Sequence, residues 1–145
     1  MSYIRVSVLI SALVTLSVFA ATEDLIAPYL RIQAALSSDQ LDGVKKDATE
    51  IAAEAAKIGA PAAKVQDAAR KLEGAGDLKA ARDAFGSLSE ALVNYLDATK
   101  TSPGADVRVA SCPMVRKPWL QKGDTIRNPY FGKQMPTCGE FRAKK

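Results

Sequence analysis

The sequence predicts an all-α fold: an up-down four-helix bundle closed by a loop-rich C-terminal Cys/Met cap. Three observations carry this. From Leu41 to Tyr95 apolar residues recur every three or four positions, the spacing that lines one face of a helix. At Thr101-Ser102-Pro103-Gly104 the composition changes, because five of the seven prolines, the only Trp and both cysteines lie from there onward. The length, 145 residues, suits one domain with an appendage.

Residues 1–20 have the composition of a secretory signal peptide. Arg5 is the only charge before Glu23, an apolar run covers Val6 to Phe19, and Ala20-Ala21 comes next. Val18 and Ala20 fit the −3 and −1 positions, which places cleavage after Ala20. The run is short of the roughly 20 residues that span a bilayer and is diluted by serine and threonine, so no stable membrane insertion is expected after cleavage. The chain is expected to be periplasmic or secreted, in an oxidising compartment.

Residues 21–101 form the expected bundle. In the first helix Leu25, Tyr29 and Leu36 face inward, and Pro28 must start or kink it. Ser37 and Gln40 have capping-box spacing for a second helix, whose face is Leu41, Val44, Ala48, Ile51, Ala55 and Ile58, and which Gly59 stops. Pro61 opens a third helix with the face Ala62, Val65, Ala69 and Leu72. After Gly74-Ala75-Gly76, Asp77 sits in the first turn of a fourth, where a carboxylate complements the helix dipole. That helix carries Leu78, Ala81, Phe85, Leu88, Leu92 and Tyr95 to about Lys100. Short connections favour antiparallel neighbours.

Residues 102–145 do not read as helix. Asp106-Val107-Arg108-Val109 alternates like a strand, and a loop-rich cap with one short helix or hairpin is expected, packed on the bundle. Nine basic and three acidic residues give this segment a net charge of +6, against −3 for residues 22–101. Export and this complementarity argue against a nucleic-acid partner. The chain has no histidine, which closes the His-dependent hydrolase mechanisms and His-containing zinc sites. Ser87 and Ser89 have no activating partner in sequence. No enzymatic activity is expected.

The sulfur atoms are the informative residues. Cys112-Pro113-Met114 and Met135-Pro136-Thr137-Cys138 are near mirror images, and after signal removal they hold every sulfur in the chain. Two thiolates and two thioethers are a soft ligand set suited to Cu(I) or Ag(I). The same cysteines could instead pair, closing a loop of about 25 residues for roughly 3–4 kcal/mol. Spacing and compartment alone favour the disulfide. Asn128-Pro129-Tyr130-Phe131-Gly132 reads as a tight turn with buried aromatics, and Trp119 as the cap's core.

Taken together, Cys112-Pro113-Met114, Trp119-Leu120-Gln121, Asn128 to Gly132, Met135, Cys138 and Gly139 resemble the C-terminal signature of a bacterial domain-of-unknown-function family. Its members are small exported helical proteins, and the domain also occurs fused to periplasmic adaptor subunits of copper/silver efflux systems. Asp77 to Phe85 is similar to the family's last bundle helix, and Tyr29-Leu30 with Ala35-Leu36 to its first. The resemblance implies no catalysis but a heavy-metal site at the Cys/Met motifs. Cys112, Met114, Met135 and Cys138 are then the ligands of Cu(I) or Ag(I), and a periplasmic adaptor or metal-efflux component the partner. The segment Val115 to Pro118 is shorter than the stretch that relatives often carry, and a role in efflux is expected to need a separate partner. The alternative is a structural or interaction module whose cap is fixed by a Cys112–Cys138 disulfide.

Overall fold

The computed structural model describes the backbone of residues 7–143 and the side chains from residue 22 onward. The expected signal peptide and its cleavage boundary lie outside the residues whose side chains are described. Among the described residues, no helix is long and apolar enough to cross a membrane.

Helix α1 spans Ser7–Ser37 with Pro28 well inside it, so Pro28 starts no helix. An interior proline removes one backbone hydrogen bond and costs about 3 kcal/mol. Burial of Leu25, Ile26, Tyr29 and Ile32 on either side offsets that cost, at roughly 1.5–3 kcal/mol per large side chain. The expected capping box is also corrected. Ser37 is the last residue of α1, and its hydroxyl donates back to Gln33 O (2.8 Å) and across to Arg127 O (3.0 Å). Helix α2, Val44–Ile58, starts instead at Gly43, whose φ of 77° favours glycine, and Leu41 is left exposed.

Beyond that point the periodicity is followed closely. Val44, Ala48, Ile51 and Ala55 are buried, and Gly59 stops α2 with its N–H on Ala55 O. Pro61 lies in a 3-10 turn, Ala60–Ala62, that leads into α3, Ala63–Glu73. Ala62, Val65, Ala69 and Leu72 are buried. Asp77 is the N-cap of α4, Leu78–Thr99, and accepts from Ala80 N at 2.8 Å. Ala81, Phe85, Leu88, Leu92 and Tyr95 are buried along α4.

The chain after α4 overturns the all-α expectation. Strands β1, Val107–Cys112, β2, Lys117–Lys122, and β3, Glu140–Phe141, form an antiparallel sheet in the order β2-β1-β3. The fold is therefore mixed: four helices and a three-stranded sheet. In the β1–β2 hairpin Val107 pairs with Lys122 and Cys112 with Lys117, while Ala110 and Ser111 of β1 pair with Phe141 and Glu140 of β3. Pro118, inside β2, is tolerated because β2 is an edge strand that needs only half its donors.

The sheet lies where a plain bundle would close. Consecutive helices pack in order from α1 to α4, and β2 rests against both α4 and α1. Tyr29 of α1 stacks on Phe85 of α4 with ring centroids 5.0 Å apart. Its buried hydroxyl contacts Ser89 Oγ (2.6 Å) and accepts from Leu120 N of β2 (3.2 Å). Tyr130 and Trp119 continue the aromatic series into the cap, with centroids 6.0 Å (Phe85–Tyr130) and 5.9 Å (Trp119–Tyr130) apart. Helices and sheet thus share one hydrophobic core.

Candidate metal centre

Register places the first thiol. Cys112 ends β1 with its side chain fully buried, and the β1–β3 pairing carried one step further sets Gly139 opposite it and Cys138 beside it. Only glycine serves at 139, since a Cβ there would stand 2.5 Å from the Trp119 ring and 3.1 Å from Ser111 O. Cys138 is half-buried and closes a turn by donating its N–H to Met135 O at 3.2 Å.

The two cysteines are free thiols that interact without a bond between them. Burial first, and then the charge and hydrogen bond of Cys112, push the Cys138 thiol above its ordinary value. An ion held by the Cys138 thiolate would displace its proton, and its affinity would rise with pH. The Cys112–Cys138 disulfide of the alternative reading is not formed in this structure.

The thioethers are placed differently. Met135 is half-buried in the turn that presents Cys138. Met114 is 65% exposed, on the hairpin turn between β1 and β2. The structure thus joins the two thiols and the Met135 turn, and leaves the Met114 side chain in solvent. No group of three or more Cys, Asp or Glu is gathered for a metal ion among the described residues. An ion bound here would draw on thiols and thioethers, a donor set that fits a soft monovalent ion and not a hard divalent one.

Asn128 is the residue that sequence reasoning missed. Fully buried, it donates from Nδ2 to Cys112 Sγ (3.5 Å) and to Cys138 O (2.6 Å). Its Oδ1 accepts from Tyr130 N (2.8 Å) and Phe131 N (3.2 Å). An Asn before Pro beside aromatics signals a turn, and that turn is present; its reach to the Cys112 sulfur and the Cys138 carbonyl has no sequence signature.

Two further polar side chains hold the cap. Gln121, also buried, accepts on Oε1 from Trp119 Nε1 and Arg127 N, both at 3.0 Å, and donates to Thr125 O at 2.8 Å. Arg82 of α4 donates to Pro129 O and Leu36 O, both at 3.0 Å, and pairs with Asp39. The Arg82 hydrogen bond is the main cause that holds the Asp39 carboxyl below its ordinary value, and the Lys133 backbone N–H adds to it. Gly132, at φ 53°, lets the loop approach: a Cβ there would collide with Asp39 Oδ1 and Arg82 Nη2.

A groove of about 640 Å³ runs between α4 and the cap. Leu78, Gly86 and Phe131 line it, together with Val115 and Gln134, the chain neighbours of Met114 and Met135.

No curated protein and no solved structure matches the chain. Residues 25–104 do match a known family, described as "Protein of unknown function (DUF3347)". The match covers the four helices from Leu25 onward and ends before β1, so the sulfur site lies beyond it. By that match, over more than half its length, the chain belongs to the family of proteins of unknown function DUF3347.

Proposed function

We propose that this chain is an exported, non-enzymatic protein that binds one soft monovalent ion, Cu(I) or Ag(I), in heavy-metal handling or efflux. Cys112 and Cys138 supply thiolates, and Met135 and Met114 thioethers. The observation that supports this best is the pair of free, interacting thiols, Cys112 and Cys138, in the cap. Met114, on an exposed turn, is the ligand free to close over an incoming ion. A periplasmic adaptor or efflux component is the partner that would supply or remove the ion.

The test is competition of the reduced protein against a colorimetric Cu(I) chelator. One Cu(I) per chain is expected, bound in preference to Zn²⁺. Cys112→Ser or Cys138→Ser should weaken binding most, and Met114→Leu with Met135→Leu should weaken it less. Unchanged copper affinity in the double-serine variant would end the reading.

A second reading rests on the same contact. Two interacting thiols are also disulfide precursors, and in an oxidising compartment the pair could close and fix the cap of an interaction module. Intact mass of natively recovered protein, before and after alkylation, separates the two: a mass lower by two hydrogens with no alkylation means disulfide.

A further inference from the structure

We propose that Asn128 is the positioning residue of the sulfur site: its carboxamide bridges the Cys112 sulfur to the Cys138 backbone and sets the spacing at which the soft ion is held. This rests on the metal reading given above. Every hydrogen-bonding capacity of the side chain is used. Two backbone N–H donors, from Tyr130 and Phe131, occupy Oδ1 and thereby fix which way the amide faces. The two Nδ2 hydrogens are then directed at Cys138 O and Cys112 Sγ. The backbone is held as firmly, because Asn128 N donates to Pro136 O at 2.9 Å and Asn128 O accepts from Gly132 N at 3.0 Å. The donor is therefore in place before any ion arrives.

The chemistry of the site calls for such a group. Two thiolates around one monovalent cation leave a net negative charge in a buried position, and a buried charge needs a hydrogen-bond donor. A neutral amide N–H supplies one without competing for the ion. Groups that orient metal ligands in this way typically contribute about 10- to 100-fold in affinity. Aspartate, nearly the same shape, would set an oxygen against the Cys138 carbonyl and the thiolate, where only repulsion results.

The experiment compares the parent with Asn128→Asp, Asn128→Ala and Tyr130→Phe in the purified, reduced full chain. Tyr130→Phe removes the hydroxyl that donates to Pro118 O of β2 and keeps the Tyr130 backbone N–H on Asn128 Oδ1. Both Asn128 variants should lose about 10- to 100-fold in Cu(I) affinity by chelator competition, and Tyr130→Phe should stay near the parent. The thiolate-to-Cu(I) ultraviolet band should move to longer wavelength in the Asn128 variants, because the lost N–H no longer stabilises the sulfur lone pair. A merely structural role would not move that band. If the variants do not fold, the parent alone decides. The chain has two asparagines, Asn94 and Asn128. On adding Ag(I), the Asn128 side-chain amide resonances should shift and those of Asn94 should not. Should the parent bind neither ion, the metal reading falls, and a metal-free measurement judges Asn128. That measurement is closure of Cys112–Cys138 by exchange with oxidised glutathione, which takes up the two electrons and leaves as two thiols. Several-fold slower closure in the Asn128 variants, with Tyr130→Phe unchanged, upholds the positioning role. Unchanged affinity, band and closure rate, or equal shifts of both asparagines in the parent, would overturn it.

Discussion

The helical region and the cap are held together by different physics. In α2, α3 and α4 the core is a repeat of small and aliphatic side chains, and any of several residues of similar volume would serve at most positions. In the cap, few large side chains are buried, and single polar groups fix long stretches of backbone: Gln121 the loop after β2, Asn128 the sulfur turn, Arg82 the joint with α1 and α4. A periodic core tolerates substitution gradually, whereas a cap held by individual clamps should fail one clamp at a time.

The largest effect that would sharpen this contrast is expected from Trp119→Ala. Trp119 is the largest fully buried side chain, and its loss should cost about 3–5 kcal/mol. The Asn128 and Gln121 side-chain amide resonances of the cap should lose their dispersion while the far-ultraviolet helical signal remains. Simultaneous loss of both signals would mean that bundle and cap are one cooperative unit. Arg82→Ala comes next. It leaves Leu36 O, Pro129 O and Asp39 without their charged donor, for about 2–3 kcal/mol in chemical denaturation. A value below about half a kcal/mol would show that the cap docks without this clamp.

Tyr29→Phe tests the seam between the regions at smaller cost. It strands Leu120 N and removes the contact with Ser89, for about 1–2 kcal/mol. Thermal denaturation that matches the parent would mean that packing, and not this hydroxyl, holds α1 against the sheet. The smallest effect concerns acid. Arg82 lowers the folded-state value of Asp39 below its ordinary 3.8, so the pair's contribution is complete above that value and is lost as pH falls through the lower, folded one. Asp39→Asn should therefore flatten stability against pH below about 3.8 and leave the profile near neutrality parallel to the parent's. An unaltered acid limb would place the acid sensitivity elsewhere.

The same contrast explains what could be read in the sequence. Most of the buried faces of α2, α3 and α4 were legible, because a 3.6-residue period needs no knowledge of the partner, although Leu41 is exposed and Ile58 and Leu78 are only half-buried. Pro28 and Ser37 misled because each is governed by tertiary packing: Pro28 by its buried neighbours, Ser37 by the Arg127 carbonyl. The sheet was hidden because β2 buries Pro118, Trp119, Leu120 and Gln121 in succession, without alternation, and β3 is only two residues long. Sulfur clustering singled out Cys112 and Cys138, which the structure keeps as free thiols. Their Asn128 support was not legible, since a side chain that bonds at a distance leaves no local pattern.

Trp119 has one more consequence. It is the chain's only tryptophan, it is sealed from solvent, and its ring lies against Gly139, the neighbour of Cys138. The protein thus carries a built-in optical probe a short distance from its thiols. Its emission should be blue relative to a water-exposed indole and should respond to any event that moves the Cys138 turn. Occupancy or oxidation at that turn can then be followed by fluorescence in the unlabelled, unmodified chain.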